Sequence, residues 1–114
     1  MDKKNPPFEE MVRMRAVLRI PGMDSVIVRR DLEYKTADGQ HLHMDVYAPP
    51  GEPQPRPAVI LIHGGPIPRI GAKNMGVFVS YGEQLAAAGF VAVSCNATRA
   101  ARAAFFWAWL HGTT

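Results

Sequence analysis

The chain has 114 residues, enough for one domain and too few for two. It is 47% hydrophobic and 20% charged, with Gly 10 and Pro 10, which excludes charge-driven disorder and collagen or coiled-coil repeats. A net charge of +3 is too mild to point to nucleic acid, and one cysteine excludes an internal disulfide framework or a multi-cysteine zinc site.

The start, MDKKNPPFEE, has no apolar run behind it and does not read as a signal peptide. The apolar stretch AAFFWAWL is eight residues long, against the roughly 20 that a membrane span needs. The expectation is a cytoplasmic protein without a membrane or nucleic-acid partner.

In chain order, residues 1–21 form a polar lead-in and a short helix. Phe8, Met11, Val12, Met14, Val17 and Leu18 recur at three and four, which predicts an amphipathic helix stopped by Pro21-Gly22. Arg13, Arg15 and Arg19 sit on it as a solvated face, diluted by Glu9 and Glu10.

A hairpin follows, from Val26–Tyr34 and His41–Tyr47. A three-residue loop, Ala37-Asp38-Gly39, with Gly39 left-handed, pairs Thr36 with Gln40, Tyr34 with Leu42 and Leu32 with Met44. One face is then apolar. The other carries Arg29, Asp31, Glu33, His41, His43, Asp45 and Tyr47 and reads as solvated. His41, His43 and Asp45 share that face, but Glu33 opposite His43 is an ordinary cross-strand partner, and no metal site is predicted.

The stretch 48–57 is rich in proline and predicts an exposed connector, because proline donates nothing to a strand ladder. Ala58–Ile62 is apolar at every position, as in parallel strands covered on both faces. Ser80 and Glu83 have the spacing of a capping box, with a helix through Ala88 that stops at Gly89 and begins at Ser80 or near Val77. Phe90–Cys95 is a second apolar strand. Strand, helix and strand form a right-handed crossover, so the fold class is α/β: an antiparallel hairpin feeding a parallel sheet of about four strands. Residues 97–114 are rich in Ala, Arg and Trp. As a helix they would be apolar all round.

The residues with chemical promise are His63, Gly64, Gly65 and Pro66, at the carboxyl end of the first apolar strand, the edge where open α/β sheets bind ligands. Two glycines permit a sharp turn and a close approach of backbone N–H groups to substrate. Pro66 has no N–H, so the donors come from Gly64, Gly65 or a residue beyond. Cys95 reads as a small buried hydrophobe. Arg69 and Lys73 read as solvent-exposed, with contact to an acidic substrate group as the alternative.

The hairpin, the proline-rich connector, AVILIHGGP, the helix ending AAAGF, and VAVSCN resemble the N-terminal part of an α/β-hydrolase. The branch they most resemble is the esterase and dienelactone-hydrolase-like one, with prolyl-oligopeptidase-type hydrolases nearby. The resemblance covers roughly residues 22–96. It implies a small-molecule ester or acyl substrate, no cofactor, and an oxyanion loop at His63, Gly64, Gly65 and Pro66. It also implies a nucleophile elbow, G-x-S-x-G, which this chain lacks. Ser25, Ser80 and Ser94 are its only serines, and none is flanked as an elbow serine is. The family's acid and histidine follow later still. The expectation is a hydrolase portion that is inactive alone. The tail after Asn96 does not follow the family pattern, which suggests a shifted reading frame. An open edge at Ala58–Ile62 would also be a template for self-association.

Overall fold

The computed structural model describes residues 7–16, 18–37, 39–63 and 71–96. The elements are α1 (Phe8–Met11), β1 (Ile27–Ala37), β2 (Gln40–Ala48), β3 (Ala58–Leu61), α2 (Gly76–Ala87) and β4 (Val91–Cys95), with 3-10 turns at Met23–Ser25 and Ala72–Asn74. The strands form one sheet in the order β1-β2-β4-β3. β1, β2 and β4 are antiparallel neighbours in turn, and β3 joins β4 in parallel. The expected class holds: a hairpin feeds a β3–α2–β4 crossover in a four-stranded mixed sheet.

The hairpin departs from its predicted turn. Ala37 pairs with Gln40 and Thr36 with His41, so the loop spans two residues rather than three. Asp38 lies outside the described residues, and Gly39 is left-handed at φ 73°. The pairing shifts between Glu33 and Lys35, and Lys35 rather than Tyr34 then faces Leu42. This bulge restores the expected pairs Glu33–His43 and Leu32–Met44. A second shift falls between Arg29 and Leu32. It holds Asp31 at φ 58°, a left-handed backbone that few residues other than Gly, Asn and Asp tolerate.

The lead-in is also different. The helix ends after one turn, at Met11. Beyond it the Arg13 and Met14 N–H groups close local turns to Glu10 and Met11, and the chain is then tied to α2. Val12 C=O accepts the Gly76 N–H at 2.7 Å, Ala16 N–H donates to Ser80 Oγ at 2.8 Å, and Leu18 C=O accepts from the Gln84 amide. Arg15 pairs with Glu83. Periodicity favours a helix here, but these tertiary bonds satisfy the same backbone groups as an extended strap. Gly76 makes the crossing possible: a Cβ there would lie 2.1 Å from Met14 O.

Ser80 is therefore not a cap. It lies within α2, fully buried, and its hydroxyl accepts from the strap. The helix begins at Gly76, close to the earlier of the two expected starts, and Gly89 ends it with φ 104°.

The core is Tyr47, Val79, Ala86 and Ala92, with Val26, Val28 and Leu85 against it. Tyr47 reaches it because Gly82 has no side chain: a Cβ at Gly82 would lie 2.5 Å from the Tyr47 ring. The expected sidedness of the hairpin is thus reversed in part. Asp45 and Tyr47, assigned to a solvated face, lie fully buried on the face that α2 covers. The register places Val46, Val93 and Ile60 in one row on the opposite face. Ile60 is 59% exposed, so β3 is not buried on both faces as its apolar run predicts. The connector is exposed along nearly all its length, as expected.

Candidate functional site

His63 stands two residues beyond the end of β3, at the carboxyl edge of the parallel pair. It is half-buried, and its ring meets Phe78 of α2 edge-on, with centroids 5.6 Å apart and planes at 87°. Phe78 in turn meets Tyr81 edge-on at 6.5 Å. This aromatic contact ties His63 to α2 where the chain leaves β3. Gly64, Gly65, Pro66 and Arg69 lie outside the described residues.

The chain is described again at Gly71, and here lies a cluster that the sequence reading missed. Lys73, expected in solvent, has a side chain only 2% exposed. Its Nζ donates to Asp31 Oδ1 at 2.7 Å and to Asn74 Oδ1 at 3.1 Å, and it forms an ion pair with Asp45 Oδ1 at 3.1 Å. Two hydrogen bonds and a buried counter-charge surround the ammonium, as the burial of that charge demands. Asp45 is completely buried. Its Oδ1 also accepts the Asp31 N–H at 2.9 Å, and the Arg30 guanidinium stands 3.7 Å from its Oδ2. The left-handed turn at Asp31 thus aims both its N–H and its carboxylate at the cluster. The hydrogen bond from Lys73, then its charge, hold the Asp31 carboxyl below its ordinary pKa.

Asn96 closes the cluster from β4. Its Oδ1 accepts the Lys73 backbone N–H at 3.0 Å, its own N–H donates to His43 O at 3.0 Å, and its carbonyl accepts from Tyr34 Oη. Gly71 is pressed against it, since a Cβ there would stand 3.1 Å from the Asn96 amide. A lysine flanked by Gly-Ala and Asn carried no burial signal. The clue available was an aspartate and a tyrosine alternating with apolar residues on β2.

The other candidates take ordinary roles. His41 and Thr36 hydrogen-bond with the exposed Glu33 carboxylate, and the bond from His41 is the main cause that lowers the Glu33 pKa. Asp45 is committed to Lys73, and no group of three or more His, Cys, Asp or Glu that could hold a metal ion occurs among the described residues. Cys95 is half-buried, and burial pushes its thiol pKa up, away from the thiolate a nucleophile needs. Of the serines, Ser25 lies in a 3-10 turn, Ser80 holds the strap, and Ser94 is buried in β4.

A shallow cleft of about 280 Å³ lies between the connector and the opposite edge of the sheet, lined by Ile27, Ala48, Pro53, Arg56 and Val91. It sits at the amino ends of β3 and β4, the wrong edge for ligand binding in an open α/β sheet. No helix among the described residues is long and apolar enough to cross a membrane.

No protein-family model matches the chain, and none of the curated proteins is significantly similar to it. A solved structure is similar: brefeldin A esterase, a bacterial homologue of human hormone-sensitive lipase, at 23% identity and a TM-score of 0.62. The match covers 82% of this chain and 25% of that one, so the chain spans about a quarter of the esterase's length. Strand order, the crossover and this likeness together give the fold: a partial α/β-hydrolase sheet.

Proposed function

We propose that the chain is an N-terminal portion of a serine-type hydrolase acting on carboxylic esters or related acyl bonds. Its share of the chemistry is the oxyanion loop His63-Gly64-Gly65-Pro66. Within the fold, this motif favours the esterase and dienelactone-hydrolase-like branch. The observation that carries the reading is the β3–α2–β4 crossover with this motif following β3. In such an enzyme a serine attacks the carbonyl, a histidine carries the proton, and backbone N–H groups after β3 stabilise the oxyanion. The likeness to an esterase structure supports the same reading.

The chain alone is expected to be inactive, because none of its three serines has the elbow pattern. Purified protein should release no p-nitrophenol from p-nitrophenyl acetate above the buffer rate. Turnover that disappears in Gly64→Val or Gly65→Val would overturn the inactivity.

A second reading, a non-enzymatic protein that self-associates, is favoured by one observation. Among the described residues β3 is the end strand of the sheet, with Ile60 59% exposed and Ile62, just beyond it, 53% exposed. An unpaired apolar edge is a template for another strand. Sedimentation over a wide concentration range should give a defined dimer, and a monomer throughout would sink this reading.

A further inference from the structure

We infer that residues 8–16 form a two-state segment. It is an α-helix stopped after one turn, and α2 holds it as a strap by capturing both halves of a single helical hydrogen bond.

The segment starts as a helix does. Glu9 and Glu10 lie in the first turn of α1, where the positive end of a helix dipole favours acids, and Arg13 and Arg15 follow toward the end that favours bases. The Met11 and Val12 N–H groups donate to Pro7 and Phe8 C=O at 2.9 and 3.0 Å, four residues back, as in an α-helix. The Arg13 and Met14 N–H groups continue the winding in tighter form, donating to Glu10 and Met11 C=O at 3.1 Å each. In a longer helix, Ala16 N–H would then donate to Val12 C=O. Instead, Gly76 N–H takes that acceptor at 2.7 Å, and Ser80 Oγ takes that donor at 2.8 Å. Gly76 and Ser80 are four residues apart on α2, one above the other on one face. Between them they divide the pair that the next helical turn needs.

The capture is mostly polar. Of the large apolar residues, Val12 is buried, whereas Phe8, Met11 and Met14 are 56%, 46% and 54% exposed. A segment with so few buried apolar contacts opens at low cost. The helix it would extend is already nucleated, and extension costs far less than nucleation. Strap and helix thus differ by a few hydrogen bonds, the condition for a two-state element. The strap form also serves α2, which has no side-chain cap and whose first N–H is met by Val12 C=O. Release exchanges a capped α2 for a longer α1 and frees the buried Ser80 hydroxyl.

Gly76→Ala in the labelled full chain tests this by NMR. A Cβ there would lie 2.1 Å from Met14 O and 2.4 Å from Arg13 O, so the strap is expelled. Alanine suits a helix better than glycine, so α2 itself is not weakened. In the cold, the Cα shifts of residues 12–16 should move to helical values in on the order of half the molecules, because propagation is close to balanced. The Ala16 amide should exchange roughly tenfold faster than in the strap form, while amides of β2 and β4 keep their protection. Ser80→Ala removes the acceptor of Ala16 N–H without crowding α2. It should move the same shifts in the same direction by less, and it decides the matter if Gly76→Ala does not fold. Random-coil shifts at residues 12–16 in either folded variant overturn the inference, and so do strap shifts that persist in both.

Discussion

β3 and β4 are both short apolar strands, paired in parallel, yet their surroundings differ. Ala92 and Ser94 of β4 are buried beneath α2, while Ile60 of β3 is largely exposed. β4 has a strand on each side and a helix above it. β3 has β4 on one side and, among the described residues, no strand on the other. An apolar run thus reports the environment a strand suits, and its neighbours decide the environment it receives. The most deeply buried face carries polar residues: Asp45, Tyr47, Ser80 and Ser94 are the largest fully buried side chains. Lys73 supplies a partner to Asp45 and the strap supplies one to Ser80, whereas Asp45 Oδ2 and the Tyr47 hydroxyl are buried without a hydrogen bond among the described residues.

The contrast can be broken first at the Lys73 cluster. Lys73→Met leaves the buried Asp45 carboxylate without its ammonium, and the cost should be about 3–5 kcal/mol in urea unfolding. A loss below about 1 kcal/mol would mean that Arg30 and the Asp31 N–H hold Asp45 unaided. Gly82→Ala comes next. It forces a methyl against the Tyr47 ring, which has nowhere to move within the core, and should cost about 1–3 kcal/mol by the same measurement. A neutral result would show the α2–β2 spacing to be loose.

Acid should weaken the buried side through Asp31. Its folded pKa lies below its ordinary value of 3.8, so its contribution is present above 3.8 and disappears as pH falls through the lower folded value. The urea midpoint should drop in that window. Asp31→Asn, which also accepts a left-handed backbone, should remove Asp31's share of the drop. A drop of the same size in the variant would assign it to other carboxylates, Glu33 among them.

The smallest effect belongs to the exposed edge. Ile60→Lys should change stability by no more than about 0.5 kcal/mol. It should nevertheless abolish any dimer that forms through β3. A large destabilisation would show Ile60 to be covered in solution.

Much of the fold was legible in the residues. Period-two alternation and a turn around Ala37-Asp38-Gly39 announced the hairpin, two apolar runs announced the parallel pair, and Gly89 announced the end of α2. The register at Glu33–His43 and Leu32–Met44 was readable because it keeps Leu32 and Met44 on one face, even though the turn that produces it was not. The lead-in was misread because Phe8, Met11, Met14 and Leu18 have helical spacing, whereas the partners that compete for its backbone, Gly76, Ser80 and Gln84, lie some sixty residues away.

The candidate site divides the same way. His63, Gly64, Gly65 and Pro66 stand out locally, because a histidine and two glycines after an apolar strand form a recognisable pattern. Lys73, Asp31, Asp45 and Asn96 do not stand out, because each is an ordinary polar residue until the sheet brings them together.

The sequence by itself therefore determined the α/β class, the crossover and the place of His63 beyond the carboxyl end of β3. These follow from hydrophobic period and turn chemistry, which act over a few residues. Only the tertiary structure decided which face of β2 is buried, that the lead-in is a strap, and that Lys73 is buried. Those depend on where one glycine lets a tyrosine ring approach a helix, and on which charges meet across three strands.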